Sequence, residues 1–482
     1  MYDEKQVPNV NKNKSKLLGL ITIFMIIASW IIFLLIQIFN SKGHGISMLI
    51  ISGTMLLLIV STYKSYITQD LLQPIMIVNI FVFFIFVARP MHILWGDAIL
   101  NDNHVFYIYN NLYGLGNINE LPYNKSLIIG LIGLISIYIG YYTTFSSSGI
   151  KFGLIIKDFN YKPFLEGSKG VSRSIFWYRF FIMLAGLSCI IFFVRFGISA
   201  NKFSALGMDF GTIDIIWIHI GTVALIFGFL IRGRLKIGSW FIIFLYCILV
   251  SVIAKRAYIV NLLLPILVIS YYLRYKKVIN IKLIFLVFGI IASVLIYGSI
   301  RSNAIGRNMS SLLIANILAE FSMFDMLLVS IRYENLYGRI FFGGYNYLSI
   351  FNGFLPSSIW PWKVNQFDHA HTAIIFRGLY GGAVPTSLLG SLYFNFSFIG
   401  LIIVSIIFGV LIRKIYIKML RINSRISIGV YALFTTFLYD IIRVGDIGRE
   451  IWSFFVYLGV FLIMSFFIKP NNKALRKKYD NA

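Results

Sequence analysis

The sequence predicts an all-α fold, a polytopic integral membrane protein with about twelve transmembrane helices and one large extracytoplasmic loop containing non-spanning helices. Three observations predict it. Hydrophobic residues make up 59% of the chain and charged residues only 13%, more apolar surface than a soluble core of this length can bury. The apolar runs, such as Leu17 to Phe39, are continuous rather than alternating. Helices and closed barrels satisfy every backbone group in lipid, and continuous runs of this length are helices. Finally, the formal net charge of +25 sits in short loops between apolar runs, the pattern that sets membrane orientation and not that of a nucleic-acid surface.

Taken in order, the expected spans are Leu17 to Phe39, Ile46 to Tyr63, Leu71 to Pro90, Ser126 to Phe145, Ile175 to Gly197, Ile213 to Ile231, Gly238 to Ala254, Tyr258 to Leu273, Lys282 to Ile300, Leu389 to Ile412, Ile426 to Ile441 and Ile451 to Phe467. The first follows a basic flank, Lys5 to Lys16, as a signal peptide's apolar region would. Its run is too long for one and lacks a small-residue cleavage site, so it is read as a retained span. Cys189 and Cys247 fall inside apolar runs and read as packing residues.

Orientation follows from the cations. Lys151, Lys157, Lys162, Lys169 and Arg173, then Arg232, Arg234 and Lys236, then Arg274, Lys276, Lys277 and Lys282 all fall in the same alternate loops as the basic N-terminus, which places both termini in the cytoplasm. The comparatively acidic loop from Met91 to Lys125 falls outside. Residues 1–482 thus form one polytopic domain, with residues 301–388 as its large outer loop. Within that loop Ser311 to Ile331 is apolar enough to pass for a further span. Letting it cross would move the basic segments Arg413 to Arg425 and Lys469 to Lys478 outside, against the positive-inside rule. Glu320 and Asp325 would also lie in lipid, at about 2.5 to 3.5 kcal/mol each on insertion scales. The segment is therefore expected to be an amphipathic or re-entrant helix.

The outer side carries mainly arginines: Arg256 beside Lys255, Arg301 and Arg307, Arg332, Arg377, then Arg443 and Arg449. A planar guanidinium grips phosphate oxygens through paired hydrogen bonds and keeps its charge, which suits a diphosphate at a membrane surface. The same arginines can instead pair with Asp440, Asp446, Glu450 or lipid headgroups. A transferase acting on a sugar hydroxyl calls for a base within hydrogen-bond reach, and Glu320, Asp325, Asp368, His369 and His371 are the candidates. Asp325 and Arg332, seven residues apart, would share a helix face and form an ion pair if the helix continues that far. Asp368, His369 and His371 are of metal-ligating type but lack an evident fourth ligand, so no metal or cofactor is expected. Trp360 and Trp362 read as interfacial anchors. Gly343, Gly344, Gly381 and Gly382 read as turn glycines.

Three segments, Gly338-Arg-Ile-Phe-Phe-Gly-Gly-Tyr, Pro356 to Lys363, and Pro385-Thr-Ser-Leu-Leu-Gly-Ser-Leu-Tyr-Phe-Asn-Phe-Ser-Phe-Ile-Gly400, resemble the Wzy-type oligosaccharide repeat-unit polymerases of O-antigen and capsule assembly. The resemblance is clearest from Lys255 to Gly400. Arg332, followed by ten residues and Gly343, is similar to that family's Arg-x10-Gly pattern in outer loops, and Arg443-Val-Gly-Asp446 loosely to its Arg-Gly-Asp-like feature. The chain departs from the family at Ser391, where an acidic residue is usual, and at Ser397, where a glycine is usual.

The resemblance implies a glycosyltransferase of the bacterial cytoplasmic membrane that moves a growing chain from one undecaprenyl diphosphate onto the sugar of a newly flipped repeat unit. Its partners would be undecaprenyl-diphosphate-linked oligosaccharide, the lipid bilayer, a chain-length regulator and a flippase. Arg256, Arg301, Arg332, Arg377 and Arg443 would hold the diphosphates, and Glu320, Asp325, His369 or His371 would activate the acceptor hydroxyl. An O-antigen ligase shares the span number, outer loop and outer arginines and differs in its acceptor. A polysaccharide flippase or transporter would more often show paired repeats and helices broken at mid-membrane.

Overall fold

The computed structural model describes residues 45–67, 70, 72–100, 120–143, 168–196, 212–232, 241, 243–247, 257–273, 321, 323–338, 342–352, 371, 385–422 and 424–468. Among these residues the structure is helical and contains no strand. The helices are α1 (Gly45–Ile67), α2 (Pro74–Phe83), α3 (Arg89–Leu100), α4 (Glu120–Thr143), α5 (Ser168–Phe196), α6 (Thr212–Arg232), α7 (Ala257–Leu273), α8 (Met323–Tyr337), α9 (Ser387–Ile422), α10 (Arg425–Val444) and α11 (Ile447–Ile468). Two short turns, Tyr345–Leu348 and Ser349–Asn352, follow α8.

Five of the described helices are long and apolar enough to cross a membrane: Gly45–Ser65, Pro74–Leu94, Leu121–Thr143, Ser387–Ile422 and Arg425–Val444. Burial supports the membrane character. Ile399, Ile403, Ile407 and Leu411 recur on one broad face of α9 and stay exposed, Ile399 at 73%, while Asp70, Arg89, Asp325 and Arg413 are buried. Apolar outside and ionic inside inverts the arrangement of a water-soluble domain.

The α4–α9 pair forms the long seam of the bundle, with α5 against α6, α7 and α2 against α10, and α10 against both α9 and α11. Glycines set the closeness of that seam. A Cβ on Gly409 would meet the Ile137 carbonyl oxygen and lie 2.9 Å from the Tyr141 nitrogen, and one on Gly140 would meet the backbone of Ile406. Backbones touch here because these positions carry no side chain.

Two irregularities shape one end of the bundle. Between α2 and α3 the helix widens into a π-turn, Phe84–Ala88, in which Arg89 N–H donates to the Phe84 carbonyl. Pro90, with no N–H and a ring that crowds the preceding turn, explains the widening. In α9, Ser397 leaves helical geometry (φ 65°, ψ −172°) and kinks the helix. Contrary to the expected end at Ile412, α9 runs on through Arg413, Lys414 and Lys418 to Ile422. Arginine and lysine are good helix formers and nothing in that stretch breaks the helix. The expected basic loop therefore contracts to a turn before Ser424, which opens α10 with a reciprocal cap to Ser427.

Candidate functional site

Asp325 faces a cation from the far side of the bundle. On α8 it accepts from Arg89 Nε at 3.0 and 3.2 Å and from Nη2 at 2.7 Å, with both side chains 1% exposed. This corrects the expected pairing with Arg332. Seven residues separate Asp325 and Arg332 by roughly 10 Å of helix rise, whereas the π-turn brings Arg89 directly opposite. A carboxylate held so completely braces α8 against α3. Around it, Tyr123 donates to the Pro90 carbonyl at 2.8 Å and packs edge-on against Phe324.

Two turns farther along α8, Glu334 accepts from Lys125 Nζ at 2.9 Å and from the Tyr393 hydroxyl at 3.1 Å. The Glu334 side chain is 8% exposed and that of Lys125 29%, so this pair lies at the rim and the Arg89 pair beneath it. Lys125 comes from the first turns of α4 and Tyr393 from the first turns of α9. Three helix ends thus converge on one carboxylate.

The start of α9 also gathers the loop that follows α8. Its kink at Ser397 leaves the Phe394 carbonyl to accept from Phe342 N–H at 3.1 Å. The next residues, Gly343 and Gly344, have φ 58° and 77°, the turn conformation expected of these glycines. Tyr347 then packs on Phe396. Its hydroxyl faces that of Ser391, and burial pushes its pKa up. His371 lies with its ring between Phe394 and Phe342. It is fully buried, and desolvation pushes its pKa down to about 3, so the ring is neutral.

A third segment completes this end. Gly445 caps α10 in a left-handed conformation (φ 78°), its N–H donating to the Ile441 carbonyl. A Cβ there would meet the Ser387 carbonyl oxygen at the start of α9 and lie 3.0 Å from Ser391 Cβ. Asp446 beside it is buried. One turn back, Asp440 accepts from Asn261 of α7 at 2.8 Å and lies 4.0 Å from Arg443. That pairing with Asp440 is the alternative to phosphate binding foreseen for the outer arginines.

The opposite end holds a separate cluster. Asp70, between α1 and α2, accepts from Tyr272 of α7 at 3.1 Å, from Tyr416 of α9 and from the Leu72 N–H at 3.3 Å. Tyr431 of α10 donates to the Leu72 carbonyl at 2.7 Å. Arg413 donates to the Tyr141 hydroxyl at 3.2 Å.

Of the residues singled out from sequence, the structure places Asp325 and Arg332 about two turns apart on α8, His371 against the start of α9 and Arg443 at the end of α10. Glu320, His369, Arg256, Arg301 and Arg377 lie outside the described residues, as do Asp368, Gly381 and Gly382. Among the described residues no group of three or more His, Cys, Asp or Glu side chains is placed to hold a metal ion. Sequence reasoning missed Glu334, Lys125, Tyr393, Arg89 and His92. Arg89 alone carried a usable signal, an ionisable residue at the close of an apolar run. No protein-family model, curated protein or solved structure matches the chain.

Proposed function

We propose that this chain is an oligosaccharide repeat-unit polymerase of a bacterial cytoplasmic membrane, built on about twelve spans with cytoplasmic termini and its active site beside the outer loop. One observation carries the proposal. Segments that resemble the polymerases, separated by long stretches of sequence, meet at one end of the bundle: residues 332–338 and 342–344, Pro385 to Gly400 and Arg443 to Asp446 are joined through Phe342 to Phe394, Glu334 to Tyr393 and Gly445 to Ser387, while Pro356 to Lys363 lies outside the described residues. In the twelve-span topology this is the outer end, and the Asp70 cluster is the cytoplasmic one.

The acceptor hydroxyl attacks the anomeric carbon of the growing chain. A new glycosidic bond forms, the bond from that carbon to the diphosphate oxygen breaks, and undecaprenyl diphosphate leaves. Glu334, near-buried yet at the rim, is placed to take the hydroxyl proton, with Lys125 and Tyr393 fixing its orientation. Asp325, committed to Arg89, takes a bracing part. Glu320 and His369 remain candidates on the same loop. Arg332, with Arg256, Arg301 and Arg377, supplies guanidinium groups for the two diphosphates, while Arg443 stands beside Asp440. The reaction as written draws on no metal or cofactor.

Deleting the gene in its host and profiling lipid-linked and surface saccharides by chain length tests the proposal. A surface limited to single repeat units is the expected result. Long polymer stranded on the lipid carrier would identify a ligase, and lipid-linked units trapped on the cytoplasmic face would identify a flippase.

A further inference from the structure

Arg89 does more than pair with Asp325. While its Nε and Nη2 engage the carboxylate, its Nη1 lies 3.2 Å from Nδ1 of His92, one turn on along α3. A guanidinium has donors and no acceptor, so this contact requires His92 Nδ1 to accept. The imidazole is thereby neutral with its proton on Nε2, the tautomer being set by the hydrogen bond at the other nitrogen. That Nε2 is buried and meets no hydrogen-bond partner among the described residues. Asp325 fixes Arg89, Arg89 fixes His92, and the series ends in an N–H with no acceptor among the described residues. Buried donors in folded proteins are paired as a rule, and an exception calls for a ligand, ion or water.

The surroundings indicate the acceptor's charge. A lone N–H beside the Arg89 guanidinium is matched by an acceptor-only anionic oxygen, the group with which charge-assisted hydrogen bonds are strongest. We infer that His92 donates its Nε2–H to a phosphate oxygen of a diphosphate bound at this end of the bundle. The inference rests on the polymerase proposal only for which molecule carries that diphosphate. In such a complex the donor would hold the leaving oxygen as its charge develops.

The test uses the full chain in nanodiscs of zwitterionic lipid, with 15N-labelled histidine and His92→Gln to assign the His92 ring signals. The free protein should show Nδ1 as the unprotonated nitrogen and Nε2 as the protonated one. Adding undecaprenyl diphosphate should shift Nε2. His92→Phe should weaken its binding about tenfold or more, the loss expected for a hydrogen bond to a charged group, and His92→Gln, which keeps an N–H donor, should bind close to wild type. A matching shift with inorganic diphosphate would show that the phosphate suffices without the lipid, and a shift in the nanodisc before any addition would assign the oxygen to a phospholipid headgroup. An Nδ1–H tautomer, an Nε2 signal indifferent to every phosphate, or unchanged affinity in a folded His92→Phe would overturn the inference. If His92→Phe does not fold, the tautomer and the Nε2 response of the native chain still decide. Diphosphate binding at His92 in a protein whose gene deletion leaves polymer length unchanged would remove the polymerase proposal and leave this one standing.

Discussion

The hydroxyl of Tyr393 donates to Glu334 at 3.1 Å across the junction of α8 and α9, while Lys125 reaches the same carboxylate from α4 at 2.9 Å. This arrangement separates a chemical role from a structural one. Glu334→Gln keeps the shape and one acceptor oxygen but cannot take a proton. Long polymer should fall about 100-fold or more, with the protein accumulating at wild-type level. Tyr393→Phe should lower polymer formation about tenfold. Immunoblots beside saccharide profiles check both, and full-length polymer from Glu334→Gln would dismiss Glu334 as the base.

Asp325 should respond differently. Removing one partner of a buried ion pair strands the other, at a cost of about 3 to 5 kcal/mol. Asp325→Asn should therefore lower the thermal unfolding temperature in detergent and reduce accumulation. The double change Arg89→Met with Asp325→Leu should restore much of the stability without restoring polymer, because His92 loses its anchor. A stable, inactive Asp325→Asn would return Asp325 to the list of candidate bases.

Much of this architecture was legible in the apolar runs. The expected spans Ile46 to Tyr63, Ser126 to Phe145, Tyr258 to Leu273 and Ile426 to Ile441 coincide with α1, α4, α7 and α10 to within a few residues, because a continuous apolar run and its helix are the same signal. The site was far less legible. Asp325 and Arg89 stand 236 positions apart, and Glu334 and Lys125 stand 209 apart. Helical spacing identifies neighbours on one helix and is silent about which helix lies opposite. Arg332 was therefore the natural partner of Asp325 on paper, and the π-turn before Pro90 overruled it.

Arg332→Ala should abolish long polymer without loss of membrane insertion, and Arg256→Ala should do the same. Both are testable by saccharide profiling with a tagged protein. Normal polymer from both would withdraw the diphosphate-holding role from these two arginines.

His371 predicts a pH dependence. Its pKa is about 3 in the folded protein against an ordinary 6.5, so between those values the unfolded chain binds a proton that the folded chain refuses. The contribution is complete above pH 6.5 and is lost as pH falls toward 3, with a slope approaching ~1.4 kcal/mol per pH unit for one proton. Thermal unfolding of His371→Phe across this range should show a shallower acid loss than wild type. Identical pH profiles would mean that the ring is not held neutral.

The α4–α9 seam offers a test of packing alone. Gly409→Val places a branched side chain where a Cβ would already meet Ile137 and Tyr141 backbone atoms. The helices must part, at a cost of about 1 to 3 kcal/mol or more. The unfolding temperature should drop, whereas Gly53→Ala, at a position with open space around it, should leave it nearly unchanged.

The Asp70 cluster bears on the transporter alternative. A conduit that passes cargo must open at each face in turn, so neither face can be permanently bolted. Here one buried carboxylate holds phenols from α7 and α9, while the adjoining Leu72 carbonyl holds a third from α10. Prising this floor apart would leave several groups unsatisfied in a dry interior, at about 1 to 3 kcal/mol each. A network that ties α7, α9 and α10 together at this end is what the polymerase proposal, rather than a transporter, would call for.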